Sequence, residues 1–254
     1  MHNLKPKKYL GQHFLTDQNT ALRIVEALTA GAEAEVVEIG PGQGVLTTHL
    51  YQKYPRFSVV EVDPDAVAYL EKAFANPPLS IIHQDVLKWQ PKDHLSPDSF
   101  FIGNLPYNIS SPFFFHMLDN LTYIKEGVFM IQKEVAERIC AEKGKKIYGI
   151  LSVLMGAYFD LSYEFSVPPS VFRPPPKVMS GVIRIVRKDA FPEVPFSSLK
   201  RVVKAGFNQR RKTLRNALKS LPLADFPEKE FYFTQRAEQL SVDDFVKIAG
   251  ALES

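Results

Sequence analysis

The sequence has a single cysteine, Cys140, among its 254 residues. A lone cysteine excludes an intrachain disulfide and a zinc site built on paired cysteines, and it favours a reducing compartment. No apolar run approaches the ~18 residues that cross a bilayer. The stretch Met1–Pro6 has no apolar core of the kind that secretory signals carry. We therefore expect a cytoplasmic protein with no membrane partner.

Motifs of several enzyme classes are also missing. The sequence contains no P-loop, no G-x-S-x-G elbow and no H-E-x-x-H pair. Its six histidines are scattered without metal-ligand spacing, so we expect no metal site. A content of 45% hydrophobic and 23% charged residues is typical of a globular chain. The length fits one large domain, or one with a small appendage.

Strand-like and helix-like segments alternate over the first two-thirds of the chain, which favours a doubly wound, mostly parallel α/β sheet. Short apolar runs predict strands at 35–39, 57–62, 79–83, 99–103, 128–132, 158–165 and 180–186. Helices are predicted at 17–30, 45–53, 64–75, 111–118, 133–141 and 148–157. After Lys188 the strand signals stop, and residues 197–252 have the pattern of short helices. We expect a catalytic domain at 1–188 and a small α-helical domain at 189–254.

Charge is concentrated in one stretch of the chain. Residues 1–199 carry 20 basic and 21 acidic side chains, whereas 200–216 carry seven basic and no acidic ones. Helical spacing separates an apolar stripe from most of these cations, and Arg210 breaks the pattern, which predicts a helix break near Asn208–Gln209. The stretch suits a phosphate backbone, although a solvated helix face is the alternative. The expected RNA-binding residues are Arg201, Lys204, Arg210, Arg211, Lys212 and Arg215.

A glycine-rich loop, Glu38-Ile-Gly-Pro-Gly-Gln-Gly44, follows the first long predicted strand and precedes a helix. Glycines there let a ligand approach the backbone closely, and Glu61 near the end of the next strand is placed to accept ribose hydroxyls. Asp85 follows the third of these strands, where an adenine amino group would lie. Val45 stands where a dinucleotide fingerprint needs glycine. S-adenosylmethionine is thus favoured over a nicotinamide or flavin nucleotide, with a ligand-free turn as the third alternative.

A second motif, Gly103-Asn-Leu-Pro-Tyr-Asn108, follows the fourth of these strands. Asn104 and the carbonyl of Leu105 are able to accept both hydrogens of an exocyclic amine, and Pro106 restricts the turn. Tyr107 offers a flat face for a base. Taken alone, this motif also fits a strand-ending turn with a core tyrosine. Beside the glycine-rich loop, at the edge where α/β sheets bind ligands, it points to methylation of an amino group.

The Asn-Leu-Pro-Tyr turn resembles the motif of amino-group methyltransferases. More specifically, the chain resembles the bacterial small-subunit ribosomal RNA adenine N6,N6-dimethyltransferase family over nearly its whole length. The resemblance implies a seven-stranded S-adenosylmethionine-dependent methyltransferase sheet with a C-terminal helical domain, acting as a monomer on rRNA in an immature small ribosomal subunit. The blocks that carry it are residues 7–15, 103–110, 132–135, 148–153, 167–178 and 207–213.

The resemblance also implies roles for individual residues. S-adenosylmethionine would contact His13, Leu15, Gly40, Glu61, Asp85 and Asn104. The catalytic group would comprise Asn104, Leu105, Tyr107 and Phe172, with Phe172 facing Tyr107 across a flipped adenine. An ordinary core aromatic is the alternative for Phe172. The implied product is a pair of adjacent dimethylated adenosines in the 3′-terminal hairpin of small-subunit rRNA.

Two rival functions remain open at the level of sequence. One is methylation of adenine in DNA or in large-subunit rRNA, since the Asn-Leu-Pro-Tyr turn does not choose the polymer. The other is an RNA-binding assembly factor without essential methyl transfer. Mapping methylated bases distinguishes the first rival, and measuring cofactor binding by calorimetry distinguishes the second.

The basic stretch generates a prediction about salt. If about five of its cations contact phosphates, the logarithm of RNA affinity falls with the logarithm of salt concentration with a slope of about −3.5 to −4.5. Filter binding of RNA across a range of salt concentrations measures this slope. A slope near zero would contradict RNA binding by residues 200–216.

Overall fold

The computed structural model describes residues 4–253, so the first three residues of the Met1–Pro6 stretch and Ser254 lie outside it. Its strands are β1 Phe14–Leu15, β2 Glu35–Ile39, β3 Arg56–Glu61, β4 Ser80–His83, β5 Ser99–Asn104, β6 Ile124–Gln132, β7 Phe159–Val167, β8 Phe172–Arg173 and β9 Ser180–Arg187. Seven of them form one sheet in the order β4-β3-β2-β5-β6-β9-β7, and β1 pairs with β8 separately. This is the doubly wound sheet that the alternation of segments predicts.

Parallel pairing dominates the large sheet. Strand β2 pairs in parallel with β3 on one side and with β5 on the other. Strand β4 continues the parallel set beyond β3, and β6 continues it beyond β5. Strand β9 is antiparallel to β6, with Gln132 opposite Ser180. Because β2 is followed by β3 on one side and later by β5 on the other, the strand order reverses at β2, where α/β sheets form their ligand crevice.

The helices begin and end near the predicted positions. They are α1 Gln18–Glu26, α2 Thr47–Leu50, α3 Pro64–Ala73, α4 Ser110–Asp119, α5 Lys133–Ile139, α6 Ile150–Tyr158, α7 Phe196–Asn208, α8 Leu214–Ala217, α9 Lys229–Thr234 and α10 Val242–Gly250. Asp17 caps α1 by accepting from the Thr20 amide at 2.7 Å, and Pro64 occupies the first turn of α3. The break predicted after Asn208 is confirmed, since α7 ends there. In residues 4–253 no helix is long and apolar enough to span a bilayer.

The chain divides into two compact units. Unit 1 contains residues 1–136 and 162–187, and unit 2 contains 137–161 and 188–254. The division expected from sequence at residue 188 placed 137–161 in the first domain, whereas the structure groups this segment with the C-terminal helices. The physical reason lies in α6, which is apolar nearly all round and packs against α7 and α10.

The core of unit 1 is formed by aliphatic and aromatic side chains from the sheet and from α1 to α3. Val36, Val59 and Ile102 on adjacent strands are fully buried, and Ile24 of α1 packs in the same cluster. In unit 2, Phe207 of α7 stacks on Phe245 of α10 with ring centroids 5.7 Å apart. Each unit therefore has apolar packing of its own.

Candidate active site

Unit 1 contains a cavity of about 200 Å³ at the carboxyl ends of the adjacent strands β4, β3, β2 and β5. The residues expected at a cofactor and target-base site meet in its lining. They are His13, Leu15, Gly40, Glu61, Asp85, Asn104, Leu105 and Tyr107. Parallel strands place their carboxyl ends at the same edge, which brings residues far apart in the chain to one place.

The glycine-rich loop forms the turn between β2 and α2. Gly40 and Gly44 have φ angles of +66° and +75°, values that side-chain-bearing residues rarely adopt. The Gly40 amide donates to the carbonyl of Val60 at 2.9 Å, which joins the loop to β3. Thr47 donates to the fully buried Glu38 at 2.6 Å. Burial raises the pKa of Glu38 to about 8, which favours the neutral form of this cavity-lining carboxyl.

Glu61 ends β3 and is held rigidly. One carboxylate oxygen accepts from the amides of Val62 and Asp63, both at 2.8 Å, and the other accepts from the Gly42 amide at 3.1 Å. Burial raises the pKa of Glu61, and the three amide hydrogen bonds oppose this rise. A carboxylate oxygen has room for more than one donor, so Glu61 retains capacity to accept hydroxyl groups from a ligand.

Asp85 lies at the carboxyl end of β4. Its carboxylate accepts from the Leu87 amide at 3.0 Å, and its carbonyl accepts from the amides of Lys88 and Trp89 at 2.9 Å. These local bonds define a tight turn that holds the Asp85 side chain at the cavity. The expected position of Asp85 beside Glu61 in one cavity is therefore found.

The Asn-Leu-Pro-Tyr turn begins at the end of β5. The side-chain nitrogen of Asn104 donates to the carbonyl of His13 at 3.1 Å, which orients the amide. The Leu105 amide donates to the carbonyl of Met130 on β6 at 3.0 Å, and the Ile109 amide closes the turn on the Pro106 carbonyl. Within residues 4–253 no partner of the Asn104 side-chain oxygen is recorded, so it is available as an acceptor.

Tyr107 is half-buried, and two contacts hold its ring. Its hydroxyl lies 2.7 Å from the hydroxyl of Ser180, which is fully buried at the start of β9. The His13 ring stacks against it with centroids 5.6 Å apart. The sequence motifs did not single out Ser180, and the run of strand-forming residues that follows it was its only signal.

The structure corrects the expectation for Phe172. This side chain is 2% exposed and belongs to the core cluster of unit 1, and in the described part of the chain it is not part of the cavity lining. Its backbone pairs with Leu15 in the β1–β8 ribbon. A strand directs alternate side chains to opposite faces, and this register turns Phe172 inward, while Arg173 is exposed.

The N-terminal segment is tied to the carboxyl end of β3 by one carboxylate. Asp63 accepts from Lys7 at 2.5 Å and from the side-chain nitrogen of Gln12 at 2.8 Å, and it also caps α3. Lys7 forms a second ion pair with Asp65 at 2.7 Å. Burial opposes ionisation of Asp63, but the bonds from Lys7 and Gln12 prevail and lower its pKa. We call the contacts of Asp63 with Lys7 and Gln12 the clasp. The sequence did not predict it, because no local pattern links residues 7 and 63.

The β1–β8 ribbon secures the same segment on its other side. Phe14 pairs with Arg173, the Thr16 amide donates to the Val171 carbonyl at 2.8 Å, and the Nδ1 atom of His13 lies 2.7 Å from the Pro174 carbonyl. Residues 10–15, between the clasp and the ribbon, line the cavity. The segment is therefore fixed at both ends over the site.

In unit 2 the expected RNA-binding cations differ in their surroundings. Arg210 donates to Glu238 at 3.1 Å, and Arg215 forms an ion pair with Glu230. Arg201, Arg211 and Lys212 are exposed, with no ion pair recorded for them among residues 4–253, and Lys204 is exposed as well. The structure thus shows an exposed cationic set, part of which is already paired with acids.

A family model described as "Ribosomal RNA adenine dimethylase" matches residues 3–253 of this chain. The chain belongs to the ribosomal RNA adenine dimethylase family. It is accordingly a methyltransferase of ribosomal RNA, as its motifs and fold predict.

Relatives in this family match over nearly their full length. The chain is 49% identical over 257 residues to "Ribosomal RNA small subunit methyltransferase A" of Cytophaga hutchinsonii, covering 99% of both chains. It is 47% identical over 256 residues to the protein of the same name from Bacteroides thetaiotaomicron, covering all of this chain and 96% of that one.

Solved structures agree on the fold. A dimethyladenosine transferase from Plasmodium falciparum superposes with a TM-score of 0.81 at 24% identity, covering 94% of this chain and 99% of that one. The 23S rRNA methyltransferase ErmE superposes with a TM-score of 0.73 at 22% identity, covering 95% and 100%. At such identities the likeness establishes the fold alone, and it confirms the fold class expected from sequence.

The clasp at Asp63 generates a prediction about the N-terminal segment. Asp63→Asn keeps an oxygen that caps α3 but removes the charge that holds Lys7, so we expect amide hydrogens of residues 8–12 to exchange several-fold faster. Hydrogen exchange followed by mass spectrometry measures this. Asp65→Asn, which loses only the more exposed partner of Lys7, should have a smaller effect.

The Asp63–Lys7 pair should contribute to the free energy of unfolding in a way that depends on pH. A lowered carboxyl pKa stabilises the folded state above the unfolded value of about 3.9, and this contribution is lost as the pH falls through the lower folded value. The difference in unfolding free energy between the wild type and Asp63→Asn should be constant above about pH 5 and shrink below about pH 4. Denaturant titrations at several pH values test this, and a difference that grows in acid would contradict it.

Proposed function

We propose that this protein transfers methyl groups from S-adenosylmethionine to N6 of two adjacent adenosines in the 3′-terminal hairpin of small-subunit rRNA, within an immature small ribosomal subunit. The supporting observation is a single cavity lined by the glycine-rich loop, Glu61, Asp85 and the Asn-Leu-Pro-Tyr turn. The first three suit a nucleoside cofactor, and the turn suits an exocyclic amine. Family membership and the similarity to small-subunit rRNA methyltransferases support the same assignment.

The donor set fits S-adenosylmethionine. Glu61 presents a rigid carboxylate with acceptor capacity for ribose hydroxyls, and Asp85 presents a second carboxylate for the adenine amino group. Gly40 allows close approach of the ligand, while His13 and Leu15 close the cavity from the N-terminal segment. When bound, the cofactor supplies an electrophilic methyl group on a sulfonium.

Asn104 and Leu105 would act on the target base. The lone pair of adenine N6 is delocalised into the ring, which makes the nitrogen a poor nucleophile. Acceptance of its hydrogens by the Asn104 side-chain oxygen and the Leu105 carbonyl favours a more pyramidal nitrogen whose lone pair points away from the ring. These acceptors also suit the positive charge that develops on the nitrogen during attack, and this charge would be lost afterwards by release of one N6 proton to water.

Tyr107 would supply the stacking face for the flipped adenine. Its hydroxyl is held by Ser180 and one side of its ring by His13, so the ring is oriented before the base arrives. Stacking returns about 1–3 kcal/mol per base, comparable with the cost of leaving the helical stack. Phe172 is buried in the core, so the proposal assigns this role to Tyr107 alone.

The exposed cations of unit 2, above all Arg201, Arg211 and Lys212, would contact phosphates of the rRNA. Lys204, Arg210 and Arg215 complete the proposed RNA-binding set, with Arg210 and Arg215 exchanging Glu238 and Glu230 for phosphate. Such contacts position the substrate without reading its sequence. Selection of the adenosines then rests with the cavity of unit 1.

The decisive experiment maps methylated bases. Small subunits lacking the modification, and in parallel large-subunit rRNA and DNA, are incubated with the protein and S-adenosylmethionine, and methylated bases are mapped by mass spectrometry. Two adjacent dimethylated adenosines in the 3′-terminal hairpin are expected. Methylation confined to large-subunit rRNA or DNA, or an absence of methyl transfer, would refute the proposal.

Asn104→Ala tests the assigned chemistry. Loss of one acceptor at the reacting nitrogen should lower kcat about 100-fold or more, by analogy with removal of one preorganised hydrogen-bonding group from an active site. Circular dichroism should show an unchanged fold. Asn19→Ala, which removes an exposed amide from α1, is the matched control with wild-type kcat. Transfer by Asn104→Ala at the wild-type rate would refute the role of Asn104.

A further inference from the structure

Two segments of unit 1 that lie far apart in the sequence carry cations and no acids. Residues 4–16 contain Lys5, Lys7 and Lys8, and residues 168–179 contain Arg173 and Lys177. Neither segment contains aspartate or glutamate, although acids are nearly as numerous as bases in the chain as a whole. The two acid-free segments can bind one ligand together only if the fold brings them close to each other.

The fold does join them, through the β1–β8 ribbon. Phe14 pairs with Arg173, and further bonds link Thr16 to Val171 and His13 to Pro174. Of the five cations, Lys7 is neutralised by Asp63 and Asp65. The remaining four, Lys5, Lys8, Arg173 and Lys177, are exposed. Lys5, Lys8 and Tyr9 adjoin the Asp63 end of the segment that lines the cavity, and Arg173 and Lys177 adjoin its β1–β8 end. We call these four cations, with Tyr9, the ribbon surface.

Exposed aromatic and apolar side chains lie beside these cations in the sequence. Tyr9 is 75% exposed, the largest exposed fraction among the large hydrophobic side chains of residues 4–253. Val178 and Met179, next to Lys177, are 44% and 37% exposed. Cations interleaved with an exposed ring are the combination that binds single-stranded nucleic acid, because the cations follow the phosphates while bases stack on the ring.

The position of the ribbon surface indicates which part of the RNA it would contact. Residues 10–15, which directly follow Lys8 and Tyr9, line the cavity proposed for the target adenosine. RNA that delivers a base into this cavity must pass over its rim, and the flanking nucleotides then lie within reach of neighbouring side chains.

We infer that the ribbon surface is a second RNA-binding surface, separate from residues 200–216, which holds the single-stranded nucleotides next to the modified adenosines. The inference rests on the proposed function, since it takes the RNA strand to be the one whose adenosine enters the cavity. Its cations would bind phosphates, and Tyr9 would stack on an unpaired base.

The test uses a triple variant, Lys8→Gln, Arg173→Gln and Lys177→Gln, in the full-length protein. Its matched control is Lys53→Gln, Lys72→Gln and Lys92→Gln, three exposed cations of unit 1 outside the cavity lining. The probe is a fluorescently labelled RNA hairpin with the 3′-terminal small-subunit sequence, titrated over a range of salt concentrations. Calorimetry with S-adenosylmethionine shows for both variants whether the cofactor cavity remains intact.

The triple variant should bind the hairpin at least tenfold more weakly near 0.1 M salt, with a log–log salt slope less steep by about 2 to 3. Its cofactor affinity and the RNA affinity of the control variant should match the wild type. Unchanged hairpin binding by the triple variant overturns the inference. Weaker binding of the triple variant to the intact subunit would not change this conclusion. The surface would then contact a component of the subunit other than the hairpin.

Tyr9 provides an independent arm that does not depend on charge. Tyr9→Ala should weaken hairpin binding on the order of tenfold, whereas Tyr9→Phe, which keeps the ring, should bind like the wild type. Equal affinities for Tyr9→Ala and the wild type would show that the ring does not stack. The base-mapping experiment with the wild type is separate, so a failed ribbon surface leaves the proposed function standing, and a failed function appears there first.

Discussion

Parallel pairing of β2 with β3 on one side and β5 on the other is the constraint on which the site depends. Parallel strands end at the same edge, so this pairing brings the glycine-rich loop, Glu61 and Asn104 together although they span 66 residues of chain. The reversal of strand order at β2 opens a crevice there rather than a closed edge. Backbone hydrogen bonds between these strands hold the lining residues in place.

A second layer of the site comes from the N-terminal segment, which reaches the cavity only through long-range contacts. Asp63 holds one end of this segment, and the β1–β8 ribbon holds the other. Asp63 lies two residues after Glu61, so the carboxyl end of β3 serves both the proposed ribose contact and the clasp. One short turn therefore carries both the proposed cofactor-binding side chain of Glu61 and the anchor of the N-terminal segment.

The two units present different groups to a ligand. Unit 1 contains the enclosed cavity, with rigid acceptors suited to a cofactor and a single base. Unit 2 presents exposed cations on α7 and on the turn that follows it, and such cations suit phosphates irrespective of sequence. The inferred ribbon surface would add phosphate contacts next to the cavity itself. Under the proposed function, specificity would arise where a base is inserted, and affinity would arise from the phosphate contacts.

Strand and helix positions, the break after Asn208 and the places of Glu61 and Asn104 at the ends of their strands were predictable from the sequence, since each depends on local spacing and residue type. Other features were decided only by tertiary structure, among them the clasp at Asp63, the Tyr107–Ser180 contact, the inward turn of Phe172 and the grouping of residues 137–161 with the C-terminal helices. Each of these joins segments far apart in the chain. Local patterns specify which residues are apolar, charged or turn-forming, whereas only the packed chain determines which distant partner each one meets.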